Sequence, residues 1–219
     1  LAHELNQPLA AIASYNTGCL NLLANENFDM RDIRQALEKL GVQAQRAGRI
    51  IRRVHDFVRK SEPKRAPCAL GEIIEDCIGF VEAEARKRHV HIETALPELP
   101  LVLADRLMLE QVLLNLIRNG MEAMAGTPEA QRMLRVSAEP GSGEVIVTIA
   151  DNGCGIAPEV REKLFTAFFT TKPEGMGVGL SICRSIIEFH RGRLWAEDNS
   201  HSPTGSGTIF KFTLPLESA

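Results

Sequence analysis

The chain has 219 residues, of which 44% are hydrophobic and 24% are charged, and its formal net charge is −3. This composition supports a packed core of one or two domains and disfavours disorder. The lack of a basic excess argues against a nucleic-acid binder. No stretch approaches the ~18 consecutive apolar residues of a membrane span, and the first residues do not resemble a signal peptide. We therefore expect no direct membrane contact and a cytoplasmic location.

The five cysteines are scattered along the chain, without a C-x-x-C pair or a histidine cluster. This spacing gives neither a zinc site nor a disulfide framework. It predicts buried thiols in a reducing compartment, at Cys19, Cys68, Cys77, Cys154 and Cys183.

The N-terminal third predicts a helical hairpin. From residue 33 to residue 58, apolar residues recur at alternating spacings of four and three, the heptad pattern of a bundle. Residues 5–23 keep a similar rhythm, and Asp29 can cap the second helix. Two helices alone leave half of each apolar stripe in water. We therefore expect two hairpins to pair into a four-helix bundle, which makes the protein a homodimer.

The polar, proline-bearing residues 61–67 predict a boundary between a domain at 1–66 and one at 67–219. The second domain predicts a mixed sheet with helices on one face, an α/β sandwich, so that the whole chain belongs to the α+β class. Its predicted helices cover residues 70–87, 105–125 and 179–190, and its predicted strands cover residues 89–94, 101–104, 133–139, 144–150, 193–197 and 207–215.

Two asparagines, Asn115 and Asn119, lie four residues apart on one face of a predicted helix. Asparagine is a modest helix former, so this pair favours a polar task such as coordination of a metal ion or a phosphate. The alternative is a pair of amides that the backbone satisfies.

Glycines follow both Asp151 and the irregular segment 164–174. The sequence D-N-G-C-G starting at Asp151 suits recognition of a ligand amino group, although it also suits an ordinary turn. Gly175, Gly177 and Gly179 lead into a helix whose N-terminus would attract an anion; a flexible loop is the alternative. Their spacing is neither a Rossmann fingerprint nor a P-loop.

Segment 164–174 itself favours a lid. Its adjacent Phe168 and Phe169 would pack over a ligand, and Lys172 would reach the ligand's phosphates. The alternative for Lys172 is a solvated loop lysine.

The sequence H-E-L-N-Q-P-L near the N-terminus places His3 beside Glu4, a candidate nucleophile with an adjacent base. Pro8 cannot donate to the carbonyl of Glu4, so we expect a kink there. Alternatively, the helix begins at Pro8. Gln7 stands where a zincin motif requires a second histidine, which excludes that motif.

Together these segments resemble the boxes of a two-component sensor histidine kinase. Residues 3–9 are similar to its H-box, 115–123 to its N-box, 151–155 and 175–180 to its two glycine boxes, and 168–172 to its F-box. Five boxes in this order over nearly the whole chain make the resemblance specific. The forms of the H-box and F-box are similar to the oxygen- and dicarboxylate-sensing subgroup.

The resemblance implies a dimerisation and histidine-phosphotransfer bundle followed by an ATP-binding domain of the Bergerat type. Asp151 would accept the adenine amino hydrogen, Asn119 would hold Mg²⁺ with Asn115 nearby, and Lys172 would act from the lid. The other nucleotide-binding residues that it implies are Gly153, Gly155, Phe169, Thr171, Gly175, Gly177, Gly179, Leu180 and Thr208.

In the implied reaction, His3, deprotonated with help from Glu4, attacks the γ-phosphorus of ATP. The phosphoryl group then passes to an aspartate of a response-regulator receiver domain. Gln7 would orient a water for the opposite, phosphatase reaction; a solvated helix residue is the alternative. Leu1 lies inside a helical pattern with no start methionine, so we expect a fragment whose sensor domain lies upstream.

Two other functions fit parts of the pattern. Chaperones, type II topoisomerases and mismatch-repair ATPases share the implied fold, but they carry a glutamate four residues before the Mg²⁺-binding asparagine. Asn115 stands at that position here, which disfavours a hydrolytic ATPase and the related serine-phosphorylating mitochondrial kinases. A scaffold that binds ATP without using it is disfavoured by the joint presence of His3, Glu4, Asn119 and Asp151.

Overall fold

The structure is a computed structural model that describes residues 2–24, 29–60, 65–171, 177–200 and 202–216. For residues 2–7, 45–46 and 49–60 it describes the backbone alone. The chain divides into two compact units, Leu1–Pro63 and Lys64–Ala219. Within the described ranges, no helix is both long enough and apolar enough to span a bilayer.

The first unit is a helical hairpin, as predicted, with helix α1 at Ala2–Leu23 and helix α2 at Met30–Lys60. Asp29 caps α2: its carboxylate accepts a hydrogen bond from the backbone N–H of Arg31 at 2.8 Å. Because α1 includes residues on both sides of Pro8, the alternative in which the helix begins at Pro8 is wrong.

The heptad seam of this hairpin is buried only in part within one chain. Cys19, Ile33 and Ala47 are buried, and Leu40 is half-buried. Leu37, on the same seam, is 54% exposed. One hairpin therefore leaves apolar seam surface in contact with water.

The second unit is an α/β sandwich. Its helices are α3 (Leu70–Lys87), α4 (Arg106–Ala123), α5 (Pro158–Arg161) and α6 (Gly179–Phe189). Its strands are β1 (Ala66–Cys68), β2 (His91–Ala95), β3 (Val102–Ala104), β4 (Met133–Pro140), β5 (Glu144–Asp151), β6 (Leu194–Asp198) and β7 (Thr208–Pro215).

Five strands form one mixed sheet in the order β2-β4-β5-β7-β6, in which only β2 and β4 run parallel. Burial alternates along β4 and β5, because successive strand residues point to opposite faces. The buried face packs in one apolar core with the inner faces of α3, α4 and α6. This arrangement confirms the predicted fold class.

Strand β1 lies where the sequence predicted only a polar segment. It pairs antiparallel with β3, with Ala66 opposite Ala104, to form a separate two-stranded sheet. Pro67 is tolerated there because an edge strand does not need every backbone donor. The sequence did not reveal this strand because the polar, proline-bearing residues 61–67 are typical of a linker.

Candidate functional site

A cleft of about 1300 Å³ lies between α4, the C-terminal end of β5 and the start of α6. The structure brings together in this cleft every candidate nucleotide-binding residue that it describes. These residues are Asn115, Asn119, Asp151, Gly153, Gly155, Phe169, Thr171, Gly177, Gly179, Leu180 and Thr208. Lys172 and Gly175 lie outside the described residues.

Asp151, the last residue of β5, is buried on the wall of the cleft. Its Oδ1 atom accepts hydrogen bonds from the backbone N–H groups of Gly153 at 2.8 Å and Thr208 at 3.2 Å. Burial raises the pKa of Asp151 to about 6, and the two backbone hydrogen bonds oppose that rise. The carboxylate is therefore fixed in position, and one of its oxygens carries both of these bonds.

Gly153 lets the loop after Asp151 approach α4 closely. A Cβ at Gly153 would lie 2.7 Å from the carbonyl oxygen of Ala123, closer than side chains tolerate. The N–H of Cys154 then donates to the same carbonyl at 3.2 Å. This close approach requires glycine and fixes the loop that bonds Asp151.

Asn115 and Asn119 are joined by a hydrogen bond. Nδ2 of Asn119 donates to Oδ1 of Asn115 at 2.9 Å, as the i,i+4 spacing on α4 allows. This bond orients the Asn119 amide, whose oxygen is a suitable ligand for Mg²⁺. Among the described residues, no group of three or more His, Cys, Asp or Glu side chains could hold a metal ion.

The N-terminus of α6 faces the cleft. Gly177 has φ of +66°, and a Cβ there would lie 2.5 Å from the carbonyl oxygen of Phe169, so the turn requires glycine. A Cβ at Gly179 would lie 2.7 Å from Nδ2 of Asn115, which shows how closely α6 approaches α4. The first N–H groups of an α-helix have no partner within the helix, so they can bind an anion here.

The segment before these glycines only partly resembles the predicted lid. Phe169 is half-buried and lines the cleft, whereas Phe168 has φ of +69° and is 60% exposed. Phe168 therefore does not pack inward here. Phe165 is fixed instead, because the guanidinium of Arg184 on α6 lies 4.0 Å from the centre of its ring.

The structure places the predicted phosphoacceptor segment in helix α1. His3, Glu4 and Gln7 lie in its first turns, but their side chains lie outside the described residues.

A polar loop before β7 holds the Asp151 loop in place, and the sequence did not reveal this role. Nδ2 of Asn199 donates to the carbonyl of Asp151 at 2.9 Å, and Oγ of Ser206 donates to that of Gly153 at 2.8 Å. Thr204 lies in the same loop and lines the cleft. A run of Ser, Thr, Asn and Gly predicts a turn but does not identify its partner. Glu122, on α4, also lines the cleft and was not predicted.

The cysteines are free, and three of them, Cys19, Cys77 and Cys183, are buried as predicted. The prediction is wrong for Cys154, which is exposed and lines the cleft, because it lies in the loop after β5 and not in the core. Cys68 is only partly buried, because its strand lies in the small sheet.

Two family models match the chain. Residues 104–218 match the family described as histidine kinase-, DNA gyrase B-, and HSP90-like ATPase. Residues 1–63 match the His Kinase A (phospho-acceptor) domain.

Curated relatives match almost the whole chain. The C4-dicarboxylate transport sensor protein DctS of Rhodobacter capsulatus is 47% identical over 218 residues, covering 99% of this chain and 32% of the relative. The sensor protein FixL of Bradyrhizobium diazoefficiens is 46% identical over 218 residues, covering 98% of this chain and 42% of the relative. The chain thus spans about a third to two fifths of the length of these relatives.

Solved structures are similar in fold. The nucleotide-free catalytic domain of the histidine kinase ThkA matches with a TM-score of 0.61 and 35% identity, over 69% of this chain and 95% of that chain. ThkA in complex with the response regulator protein TrrA matches with a TM-score of 0.62 and 26% identity, over 99% of this chain and 60% of that chain.

Proposed function

Because this chain belongs to the family of histidine kinase-, DNA gyrase B- and HSP90-like ATPases, we propose that it is an ATP-dependent protein-histidine kinase of a two-component system. One observation carries the proposal: a single cleft contains a buried carboxylate, a hydrogen-bonded asparagine pair and a helix N-terminus. These groups match the base, the metal-bound phosphates and the phosphate oxygens of MgATP, respectively.

Asp151 recognises the adenine in this proposal. Its Oδ1 atom already accepts hydrogen bonds from Gly153 and Thr208, so Oδ2 accepts the exocyclic amino hydrogen. Ile156 and Phe210 line the cleft as apolar walls for the base. A buried acceptor without its donor is costly, which favours a base with an amino group.

The start of α6 holds the phosphates. The backbone N–H groups of Gly177, Gly179 and Leu180 provide donors, and the helix dipole adds to the attraction. Thr171 contributes from the segment before α6, where Phe169 packs over the nucleotide. We assign phosphate binding to Lys172 and Gly175 as well.

Asn119 holds Mg²⁺ through its amide oxygen, and Asn115 orients that amide. When bound, Mg²⁺ neutralises the charge of the phosphates and fixes their geometry. An amide ligand suits this task, because a carboxylate at the same position would repel the phosphates.

His3 is the phosphoacceptor. A nitrogen of its neutral imidazole bonds to the γ-phosphorus while the bond between that phosphorus and the bridging oxygen breaks, and ADP leaves with the electron pair. Glu4 takes the imidazole proton.

The phosphoryl group then passes to an aspartate of a receiver domain: the N–P bond breaks and an O–P bond forms to the carboxylate. The complex of ThkA with the response regulator protein TrrA supports a partner of this class. Gln7 supports a phosphatase activity toward the same receiver.

The first unit acts as a homodimer. Leu37, on the heptad seam of α2, is 54% exposed in one chain. Leu20, on α1, is 59% exposed. A second hairpin would cover the seam in a four-helix bundle. The match to the His Kinase A domain supports this state.

We place this protein in the cytoplasm as the kinase part of a longer chain. Both relatives are more than twice as long as this chain and are called sensor proteins, which supports a sensor region outside this sequence. Free thiols, with Cys154 exposed, suit a reducing compartment.

The decisive experiment is incubation of the purified chain with γ-labelled ATP and Mg²⁺. We expect a label on the protein that acid removes and base does not, which identifies phosphohistidine, and no label on His3→Ala. Release of inorganic phosphate without labelled protein would indicate a hydrolytic ATPase instead. Nucleotide binding with neither product would indicate a scaffold.

A further inference from the structure

A buried histidine joins the two helices that form the cleft, at their ends far from it. His190 follows α6, is 2% exposed, and its Nδ1 atom lies 2.8 Å from the carbonyl oxygen of Ile186. Its Nε2 atom accepts a hydrogen bond from the backbone N–H of Asp105, the N-cap of α4, at 3.0 Å. A carbonyl only accepts and an N–H only donates, so both bonds exist together only when His190 is neutral with its proton on Nδ1.

The first described residues after the hairpin contact the end of α6 and pair beside the start of α4. Arg65 lies over the ring of Phe189, with the guanidinium carbon 4.3 Å from the ring centre, and donates a hydrogen bond to the Phe189 carbonyl. The next residue, Ala66, pairs with Ala104, immediately before Asp105. The entry into the second unit is thus bonded to the end of α6 and to the start of α4. We name this cluster of Arg65, Phe189, His190 and Asp105 the entry junction.

Helices α4 and α6 pack antiparallel and contact each other at three levels. Near the cleft, Gly179 approaches Asn115. At the middle, Sγ of Cys183 lies 4.0 Å from the carbonyl of Val112. At the far end, His190 bonds Asp105. The entry junction therefore fixes the contact between α4 and α6 at the end far from the cleft.

We propose that His190 is a positioning residue: through Asp105 and Arg65 it holds α4 and α6 in the arrangement that binds nucleotide, and nucleotide affinity requires His190 to be neutral. The inference rests on the proposed function, because it concerns the helices that carry Asn119 and the phosphate-binding N-terminus.

Protonation opens this junction. Burial lowers the pKa of His190, and the charge of Arg65 lowers it further, whereas the bond to Ile186 and the Asp105 carboxylate act in the opposite direction. The imidazole is therefore neutral at physiological pH. A proton added at low pH sits on Nε2, where it faces the N–H of Asp105 and breaks that bond. Because the folded-state pKa lies below the unfolded value of 6.5, the stabilisation is complete above pH 6.5 and is lost as the pH falls through the folded-state pKa.

The test compares His190→Phe, which keeps a ring without hydrogen bonds, with His190→Gln, which keeps an acceptor and a donor but does not titrate. His91→Gln, at an exposed position of β2, is the matched control. Calorimetric titration with ADP and Mg²⁺ is performed on the full chain from pH 5.5 to 8. We expect His190→Phe to weaken ADP binding about fivefold or more, within the range for residues that couple distant sites. His190→Gln and the control should stay within about twofold of the parent at pH 8.

The pH profile separates positioning from simple stabilisation. The ratio of the ADP dissociation constants of the parent and His190→Gln should rise as the pH falls, because only the parent protonates at this position. Asp151 titrates in both proteins and cancels in the ratio. A ratio that stays constant across the pH range in which nitrogen NMR shows His190 taking up a proton overturns the proposal. A folded His190→Phe that binds ADP like the parent also overturns it.

Two measurements without nucleotide guard against a variant that does not fold. Nitrogen NMR of the parent should show the His190 ring as the neutral Nδ1–H tautomer at pH 7, and Arg65→Met should raise its pKa while Arg65→Lys should not. Amide hydrogen exchange at Asp105 should be slow in the parent and faster in Arg65→Met; equal exchange overturns the proposal. A parent that binds no ADP refutes the proposed function, and these two measurements still decide whether the junction exists.

Discussion

In the proposed function, Asp151 serves adenine recognition at a cost to the stability of the fold. The carboxylate is buried, and two backbone N–H groups only partly compensate for the water that it loses. The folded-state pKa of about 6, against an ordinary value of 3.8, corresponds to about 3 kcal/mol of destabilisation above pH 6. The proposed adenine recognition accounts for this cost, because an amino hydrogen bonds more strongly to a charged acceptor than to a neutral one.

Replacement of Asp151 by Asn should therefore separate stability from binding. Because the folded-state pKa of Asp151 is raised, the loss of folding stability that the carboxylate causes in the parent is absent below pH 3.8. That loss is complete above pH 6. We expect Asp151→Asn to unfold at a higher temperature than the parent at pH 8, and to bind ADP at least about tenfold more weakly, since the amino group loses a charged acceptor. Thermal unfolding and calorimetry at pH 8 measure both effects. Asp76→Asn, an exposed aspartate on α3, is the control; unchanged ADP affinity in Asp151→Asn would make Asp151 a turn residue.

The parent itself should bind nucleotide in a pH-dependent manner. A proton on the Asp151 carboxyl competes with the adenine amino hydrogen, so ADP affinity should fall as the pH drops through about 6. The part of this fall that Asp151 causes should disappear in Asp151→Asn. The same affinity at pH 5.5 and pH 8 in the parent would show that the carboxylate does not contact the base.

A charge at Asn119 should prevent labelling of the protein by MgATP. Asn119→Asp removes the amide donor to Oδ1 of Asn115, so that a carboxylate oxygen of residue 119 repels that atom. The change also adds a negative charge, which would repel the phosphates. We expect an intact fold by circular dichroism and loss of phosphohistidine. The matched control is Gln111→Glu, the same amide-to-carboxylate change on an exposed position of α4. Labelling of Asn119→Asp at the parent's rate would contradict the metal assignment.

At the scale of elements, the sequence predicted the long, periodic segments and the short strand β3, and it missed three other short elements. Helices α3, α4 and α6 lie within about two residues of their predicted ends, because their apolar faces repeat over several turns. Strand β1, helix α5 and the 3₁₀ turn at Glu129–Gln131 carry three or four residues each, too few for a period. The contacts of Asn199 and His190 could not be predicted, since tertiary packing alone brings them to Asp151 and Asp105.

The heptad seam yields a prediction for helix α2. Replacing Leu40 and Ile51 together by Glu would bury charges between helices, at a cost of several kcal/mol. We expect sedimentation to show a monomer for this double variant and a dimer for the parent. Gln35→Glu, which is exposed and off the seam, should remain dimeric. A dimer in the double variant would exclude the proposed bundle.

At the scale of the whole molecule, the proposed function divides the reaction between the two units. The proposed nucleotide-binding residues lie in Lys64–Ala219, and the proposed phosphoacceptor His3 lies in Leu1–Pro63. Sequence order alone could identify both sets, because each box is local. In this proposal, phosphorylation of His3 needs residues of both units. A reaction that needs only the first unit would therefore test that unit separately.

Removal of phosphate from a receiver is such chemistry, and Gln7 is its candidate residue. Gln7 follows His3 by four residues in α1, a spacing that generally brings two positions to one face of a helix. Its amide can orient a water toward the phosphorylated aspartate of the receiver. We expect Gln7→Ala to retain phosphorylation of His3 while slowing receiver dephosphorylation about tenfold or more, the lower range for one orienting group. Gln7→Asn, which keeps the amide one methylene shorter, tests its reach. Decay of a phosphorylated receiver in the presence of ADP is the measurement, and identical decay with the parent and Gln7→Ala would leave Gln7 a solvated helix residue.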